Sequence, residues 1–221
     1  MSSLAQRVIE PEFLDSAPEH DARQSLRDLA RINQLTGGHR IARRLVSEVA
    51  APGDRFSVLD VGCGSGDMGD VIRRSFPRAV VTSLDLDPVH AAMARPPRVI
   101  GNAFALPFAE RSVDIVFCSL FLHHFEDDRI VALLRSFGAV ARRAVLAIDL
   151  ERGPLATRAL TSTQWLFRWH PLTVHDGVIS VRAGFKLDEF AALGRAAGLT
   201  KGVFRRHRPW ARLSLSAALN R

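Results

Sequence analysis

Hydrophobic positions along the chain follow two spacings, and these predict strands and helices in alternation. Continuous apolar runs, typical of buried strands, occur in RFSVLDVG, AVVTSLDLD, RVIGNA, SVDIVFCSL and RAVLAIDL. Between them lie segments such as DMGDVIRRSF, PVHAAMAR and EDDRIVALLRSFGAVA, whose apolar residues recur every three or four positions. Strands that alternate with helices, and that are apolar on both faces, predict a parallel sheet covered on both sides.

Two regions depart from this alternation. In residues 1–50, apolar residues recur at helical spacing from about Asp21 to Leu35, and IARRLVSEVA predicts a second helix after the TGGHR break. Residues 151–183 contain the helix-like LATRALTSTQWLFRWH, followed by PLTVHDGVISVRAGF. We expect residues 1–50 to form a helical N-terminal cap and residues 151–183 to form an insertion over the active site.

The end of the chain predicts how the sheet is completed. KLDEFAALGRAAGLT resumes the pattern as a helix, and KGVFRRHR and ARLSLSAAL follow as strands. These strands lie too close together for a crossover helix, so they should pair antiparallel. The sequence therefore predicts a single α/β domain over residues 1–221. Its fold would be Rossmann-like and doubly wound, with a mostly parallel seven-stranded sheet and a C-terminal antiparallel hairpin.

Composition narrows the class of protein. Hydrophobic residues make up 47% and charged residues 24%, as in a packed globular protein. No apolar run reaches the roughly 18 residues of a membrane span, and the N-terminus has no signal-peptide pattern. Cys63 and Cys118 form neither a disulfide framework nor a zinc spacing. We predict a cytoplasmic protein without a bound metal.

Charge gives little guidance to partners. The net charge is +7, yet the arginines are scattered and no RNA-binding aromatic motif accompanies them. We therefore expect no nucleic acid partner, whereas association with an acidic membrane surface stays open. The sequence does not indicate the oligomeric state.

Residues 58–74, VLDVGCGSGDMGDVIRR, form a strand, a glycine loop and the start of a helix. Gly62, Gly64 and Gly66 stand where a side chain would obstruct a bound ligand, and the pattern G-x-G-x-x-G is also met. Asp85 ends the second strand, 21 residues after Gly64, where a carboxylate can bind both hydroxyls of a ribose. NAD and S-adenosylmethionine both carry such a ribose.

The charge of the loop distinguishes these two cofactors. A dinucleotide would place its pyrophosphate at the start of the first helix. Asp67 occupies that position and Asp60 closes the preceding strand, so the pyrophosphate would be repelled. S-Adenosylmethionine instead carries a sulfonium and an ammonium, which suit the acids Asp60, Asp67, Asp85 and Asp87. We predict S-adenosylmethionine as the cofactor, with Asp60 holding its ammonium group.

Four segments together resemble the successive motifs of class I S-adenosylmethionine-dependent methyltransferases: SVLDVGCGSGD, SLDLDP, GNAFALPF and SVDIVFCSLFLHHF. The stretch that begins INQLTGGHRIARR is similar to the start of the ubiquinone/menaquinone-biosynthesis C-methyltransferases. That resemblance implies cofactor contacts for Ser65, Asp85, Asn102, Ala103 and Ser119. From its position after the second strand, Leu86 could pack against the adenine ring.

The resemblance to the quinone enzymes ends after Ser119. Those enzymes continue with an FGLRN-like stretch, whereas this chain reads LFLHHF. The early INQLTGGHR and the late HDGVISVRAGF also resemble small methyltransferases that accompany type III polyketide synthases. That resemblance implies a phenolic or polyketide-derived aromatic acceptor, which is small or lipid-like.

A phenol must lose a proton when it is methylated, and histidine is the usual base. His123 and His124 follow the fourth strand, and at most one of them is expected to face the substrate. His175, in the insertion, is the next candidate; if it lies in a strand, it and Asp176 point to opposite faces. We predict O-methylation assisted by a histidine base. C-methylation of a quinol or polyketide ring and a non-catalytic cofactor-binding module are the alternatives.

Overall fold

The computed structural model describes residues 6–219, apart from the side chains of residues 155, 156, 159 and 160. Within these residues one sheet has the strand order β3-β2-β1-β4-β5-β7-β6. Its strands are β1 (Phe56–Val61), β2 (Ala79–Asp85), β3 (Arg98–Ile100), β4 (Val113–Ser119), β5 (Ala141–Leu150), β6 (Val203–His207) and β7 (Arg212–Ala218). Strands β1 to β5 are parallel, and β7 runs antiparallel to both β5 and β6. The predicted mixed α/β sheet is confirmed.

Helices cover both faces of the sheet, and the hydrophobic core accordingly has two halves. The helices are α1 (Glu19–Leu35), α2 (Gly38–Ser47), α3 (Asp67–Ser75), α4 (Pro88–Met93), α5 (Asp127–Val140), α6 (Pro154–Phe167), α7 (Pro171–Ala183) and α8 (Leu187–Ala196). In β4, Val116 packs towards α5 and α8, while Ile115 and Phe117 pack towards α2 and α3. Because successive strand residues face opposite sides, two apolar layers require the uninterrupted apolar runs of the sequence.

The strand order reverses between β1 and β4, and ligands of such sheets bind at this point, beyond the carboxyl ends of the strands. Polar residues lie at these ends: Asp60 in β1, Asp85 in β2, Ser119 in β4 and Asp149 in β5. The fold thus brings to one edge four polar residues that are far apart in the sequence.

The segment after β5 differs from the sequence-based expectation. Helix α6 ends at Phe167, so that Trp169 lies beyond it, and residues 171–183, for which the sequence predicts no definite element, form helix α7. Helix α7 packs against α1 and against the short 3-10 turn Leu122–His124. Pro171 at the first helical position favours this start, and packing outweighs the strand preference of the β-branched residues in α7. No described helix is long and apolar enough to span a bilayer.

Candidate active site

The loop between β1 and α3 depends on glycine for its shape. Gly62 and Gly66 have φ values of 65° and 73°, in the left-handed region. A Cβ atom on Gly62 would lie 2.3 Å from the ring of Phe121, and one on Gly66 would lie 2.6 Å from the Cβ of Ala94. The loop therefore packs too closely against its surroundings for any other residue at these two positions.

Asp85 holds this loop from the end of β2. Its Oδ2 accepts a hydrogen bond of 2.9 Å from the backbone N–H of Gly64, and its Oδ1 accepts one of 3.1 Å from that of Asp87. Nδ1 of His90 lies 3.7 Å from Oδ1. Burial opposes ionisation, but the imidazole and the two N–H groups keep the pKa of Asp85 below its usual range. Asp85 thus presents an ionised carboxylate where we predict the ribose.

Asp60 is in a different electrostatic state. The side chain is buried, and its Oδ2 has no hydrogen-bond partner among the described residues. Burial, with a smaller contribution from the Asp67 carboxylate, raises the pKa of Asp60 to about 8. A buried carboxyl group without a partner is costly, and a ligand ammonium would relieve that cost.

Asp67, in contrast, is already fully engaged within the protein. It accepts hydrogen bonds from Asn33 Nδ2 at 3.1 Å, His39 at 2.8 Å and the hydroxyl of Ser65 at 3.1 Å. Burial opposes ionisation, but these contacts lower its pKa. Asp67 therefore ties α1 and α2 to the glycine loop, and the Ser65 hydroxyl, a predicted cofactor contact, is turned towards this carboxylate.

The other predicted cofactor residues lie around the same edge. Asn102 accepts a hydrogen bond of 2.9 Å from Phe104 N–H and so caps the 3-10 turn that contains the buried Ala103. Leu86 is 68% exposed, so its side chain is free to cover a ligand. The hydroxyl of Ser119 is buried without a hydrogen-bond partner among the described groups. Contact of these four residues with a cofactor stays a prediction.

The two histidines after β4 are held by residues from distant parts of the chain. The Nδ1 atom of buried His123 lies 2.6 Å from Oδ1 of Asp149, at the end of β5. The other oxygen of Asp149 accepts hydrogen bonds from the N–H groups of Leu122 and His123, at 2.9 and 3.3 Å. The sequence reasoning missed Asp149, although an acid that ends an apolar run, as Asp60 and Asp85 do, was a usable signal.

Glu12, in the N-terminal segment (residues 6–18), faces both imidazoles. Its Oε1 lies 3.7 Å from Nε2 of His123 and 4.0 Å from Nδ1 of His124, and it accepts a hydrogen bond from Ser180 of α7. The imidazole rings stack with their centroids 4.4 Å apart. No periodicity in the N-terminal segment could have singled out Glu12 from the sequence.

These contacts give the two histidines opposite protonation states. Burial favours neutral His123, but the carboxylates of Asp149 and Glu12 outweigh it and raise its pKa to about 9. Burial and the positive charge of His123 lower the pKa of His124. Near neutral pH, therefore, His123 is a cation between two carboxylates, and His124 is a neutral imidazole that can accept a proton.

Glu12, His123 and His124 also form a group of possible metal ligands, whose ligand atoms lie within 4.8 Å of one another. The nitrogen–oxygen distances of 3.7 and 4.0 Å exceed the about 3.3 Å that bonds of about 2.0–2.1 Å imply between ligands of a tetrahedral zinc ion. These distances are also longer than a hydrogen bond, so Glu12 acts on the two imidazoles mainly through its charge. The absence of a metal stays a prediction.

His175 is linked to the N-terminal segment. Its Nδ1 lies 3.0 Å from Oδ1 of Asp176, and its ring stacks on Phe13 with centroids 4.3 Å apart. Asp176 in turn accepts hydrogen bonds from the N–H groups of Phe13 and Leu14. Because α7 is a helix, the strand geometry that would separate His175 from Asp176 does not apply. These contacts connect α7 to the N-terminal segment, and a catalytic role for His175 stays a prediction.

Comparison with known proteins agrees with this geometry. Residues 58–144 match the family model described as "Methyltransferase domain". The chain is 28% identical over 130 residues to a demethylmenaquinone methyltransferase of Thermotoga maritima, covering 57% of this chain and 56% of that protein. It is 35% identical over 118 residues to a trans-aconitate 2-methyltransferase of Methylobacterium radiotolerans, covering 50% and 44%. The chain spans about half the length of these curated relatives.

Solved structures share the fold. The plantazolicin methyltransferase BpumL, in complex with SAH, superposes with a TM-score of 0.68 at 15% identity, covering 95% of this chain and 93% of that one. An O-methyltransferase family protein from Burkholderia thailandensis gives a TM-score of 0.61 at 16% identity, covering 87% and 57%.

The strand order, the glycine loop and the carboxylates at the strand ends define an α/β protein of the nucleoside-binding, Rossmann-like class. Residues 58–144 match a methyltransferase domain, and the chain shares the fold of a methyltransferase solved in complex with SAH, which supports S-adenosylmethionine as the cofactor. The site suits S-adenosylmethionine chemically: Asp85 is an ionised carboxylate where we predict the ribose, and Asp60 is a buried acid whose Oδ2 has no hydrogen-bond partner among the described residues.

Proposed function

We propose that the protein transfers a methyl group from S-adenosylmethionine to the oxygen of a phenolic or polyketide-derived aromatic small molecule, with His124 as general base. The observation that carries this proposal is the electrostatic difference between the two histidines. A base must be unprotonated at working pH, and His124 alone of the pair meets that requirement. Its side chain is 29% exposed, so an acceptor can reach it.

The cofactor supplies an electrophilic methyl group on a sulfonium. Asp60 and Asp85 would hold this cofactor, which would give up its methyl group to the acceptor oxygen and leave as S-adenosylhomocysteine, and His124 would take the proton of the acceptor hydroxyl. Glu12, 4.0 Å from Nδ1 of His124, stabilises the imidazolium that forms. Burial raises the pKa of Glu12, but His123, His124 and Ser180 outweigh this effect and lower it to about 2. Glu12 therefore remains ionised throughout the reaction. His123, a cation before and after the step, orients the turn.

Aromatic side chains near the histidine turn support an aromatic acceptor. Phe125 makes edge-on contacts with Phe104 and Phe121, each with a centroid distance of 5.1 Å. The guanidinium of Arg129 lies 4.1 Å above the ring of Phe104. These partly buried aromatic side chains would make a pocket at this place poor in water. In such a pocket an aromatic acceptor could be aligned with the methyl group.

C-methylation of a quinol ring is the second candidate, and the likeness to a demethylmenaquinone methyltransferase favours it. In that reaction His124 would deprotonate the ring hydroxyl, and the ring carbon would attack the methyl group. A cofactor-binding module without turnover would retain Asp60 and Asp85 but would need no neutral histidine beside an anionic partner.

The test uses S-adenosylmethionine with a ¹³C-labelled methyl group and two acceptors, an alkylresorcinol and a naphthoquinol. We expect a methoxy carbon signal from the resorcinol, and none with H124Q under the same conditions. A ring-methyl signal would favour the quinol alternative. Labelled product from neither acceptor, although calorimetry shows cofactor binding, would count against both and favour the non-catalytic module.

A further inference from the structure

Arg212, the first residue of β7, is a buried cation whose charge is not paired. It is 2% exposed, and no carboxylate of the described residues lies within ion-pair distance of it. Nη2 donates hydrogen bonds to Asn33 Oδ1 at 2.9 Å and to Thr36 Oγ1 at 3.0 Å, whereas Nη1 is buried and has no hydrogen-bond partner within residues 6–219 as described. The equally buried Arg152, in contrast, lies 2.7 Å from a carboxylate oxygen of Glu189.

A buried guanidinium of this kind calls for an anion. Burial lowers the pKa of Arg212 to about 10, and the more distant carboxylates of Asp149 and Asp67 counteract it, so the group remains charged at neutral pH. A buried charge that is left unpaired costs several kcal/mol or more in stability. The two neutral partners of Nη2 orient the guanidinium but do not compensate its charge, and the unpartnered Nη1 is left to bind a ligand.

The neighbours of Arg212 place it beside the glycine loop. Asn33, which accepts its hydrogen bond, donates in turn to Asp67 at the start of α3. Asp67 interacts electrostatically with Arg212 and also with Asp60, whose Oδ2 has no hydrogen-bond partner among the described residues. A buried guanidinium and a buried carboxyl group, each with one atom that has no hydrogen-bond partner among the described residues, thus interact with the same carboxylate. This is the charge pattern complementary to an amino acid, which carries an ammonium and a carboxylate on one carbon.

We propose that Arg212 binds a carboxylate in the active site, that of the methionine part of the cofactor, through its Nη1 group. Asn33 and Thr36 hold the guanidinium in place, and a charge-assisted hydrogen bond replaces the missing partner. An acceptor carboxylate is a second source of the same chemistry. The proposal does not depend on a phenolic acceptor.

Calorimetry with S-adenosylhomocysteine and its decarboxylated analogue tests the proposal. The wild-type protein should bind S-adenosylhomocysteine about 10- to 100-fold more tightly than the analogue, as expected for a hydrogen bond to a charged group. R212M should bind both ligands equally, and R212K should lie between. R143M, which replaces an exposed arginine near the other end of β5, should keep the wild-type ratio.

Melting of the ligand-free protein separates binding from a structural role. Because the R212M substitution removes an uncompensated buried charge, the variant should melt at or above the wild-type temperature. A melting temperature well below it would mean that Arg212 stabilises the fold and would overturn the proposal. If R212M does not fold, R212K decides the matter through its ligand ratio.

Titration of 4-hydroxybenzoate into protein saturated with S-adenosylhomocysteine distinguishes the source of the carboxylate. Loss of this binding in R212M, with the ligand ratio unchanged, would assign Arg212 to the carboxylate of the acceptor. Equal binding of S-adenosylhomocysteine and its analogue to the wild type, with 4-hydroxybenzoate binding the same in both proteins, would exclude a carboxylate at Arg212. The proposed O-methylation would stand in either case, because it rests on His124.

Discussion

Nδ1 of His123 and Oδ1 of Asp149 lie 2.6 Å apart in a buried contact between the turn after β4 and the end of β5. The same carboxylate accepts the N–H groups of Leu122 and His123, so one residue of β5 fixes both the backbone and the ring. With Glu12 on its other side, His123 is held as a cation, which leaves His124 as the proton acceptor in the proposed reaction.

Replacing His124 should therefore affect the chemical step. We expect H124Q to lower kcat by about 10²- to 10⁴-fold with little change in cofactor affinity. The wild-type rate should rise with pH through an apparent pKa below 6.5, because the pKa of His124 is lowered, and H124Q should lack this limb. Steady-state kinetics from pH 5 to 8 would check both.

A nitro-substituted phenol serves as the control for H124Q. Because this phenol ionises without a base, the H124Q substitution should lower its methylation rate much less than that of a simple phenol. A variant that keeps the wild-type rate and pH profile would remove His124 as the base and make His175 the next candidate.

The His123 cation should make stability depend on alkaline pH. A histidine whose pKa is higher in the folded than in the unfolded protein stabilises the folded state. For His123 this stabilisation is complete below the unfolded-state pKa of about 6.5 and is lost as pH rises through the folded-state pKa of about 9. Between pH 7 and 10 the wild type should lose up to about 3 kcal/mol more unfolding free energy than H123Q. Urea titrations at several pH values measure this, and parallel curves for the two proteins would contradict it.

The raised pKa of Asp60 leads us to expect that a proton is released when the cofactor binds. Its pKa of about 8 leaves it protonated at neutral pH, and an ammonium beside it would drive its ionisation. The affinity for S-adenosylhomocysteine should rise with pH between 6 and 8, by at most about tenfold per unit. Calorimetry at pH 7 in buffers of different ionisation enthalpy should detect the released proton. In D60N both effects should vanish, and if they persisted the proton would come from another group.

Asp85 should also contribute to the affinity for the cofactor. D85A removes the predicted ribose acceptor and the partner of the Gly64 N–H group, so cofactor binding should weaken by about 1–3 kcal/mol. Titration calorimetry measures the loss. D54A, which alters an acid in the loop before β1, is the matched control and should bind normally.

Metal removal should leave the reaction intact. If Glu12, His123 and His124 exchange protons only, dialysis against a chelator should not change kcat. Loss of activity that zinc or manganese restores would instead make this cluster a metal centre and would withdraw His124 as a free base.

Most of the fold could be predicted from the sequence, because strands covered by apolar layers on both faces appear as uninterrupted apolar runs. Asp60 and Asp85 were accessible for a similar reason, since an acid that follows a buried run stands out. Glu12 and Arg212 were not, because their surroundings arise from contacts between residues over a hundred positions apart, as in Glu12 with His123. Helix α7 was ambiguous because its β-branched residues favour strands until it packs against α1.

The family match ends at residue 144, whereas Glu12, Asp149 and Arg212 all lie outside residues 58–144. The two carboxylates that contact the histidine turn, and the arginine that we propose binds the cofactor, can therefore vary independently of the segment that matches the methyltransferase domain. Three of the curated relatives cover 40% to 57% of this chain, and their names span demethylmenaquinone, trans-aconitate and malonyl-[acyl-carrier protein]. Orthologues with the same acceptor would be marked by joint inheritance of Glu12, His124 and Asp149, even where overall identity is low.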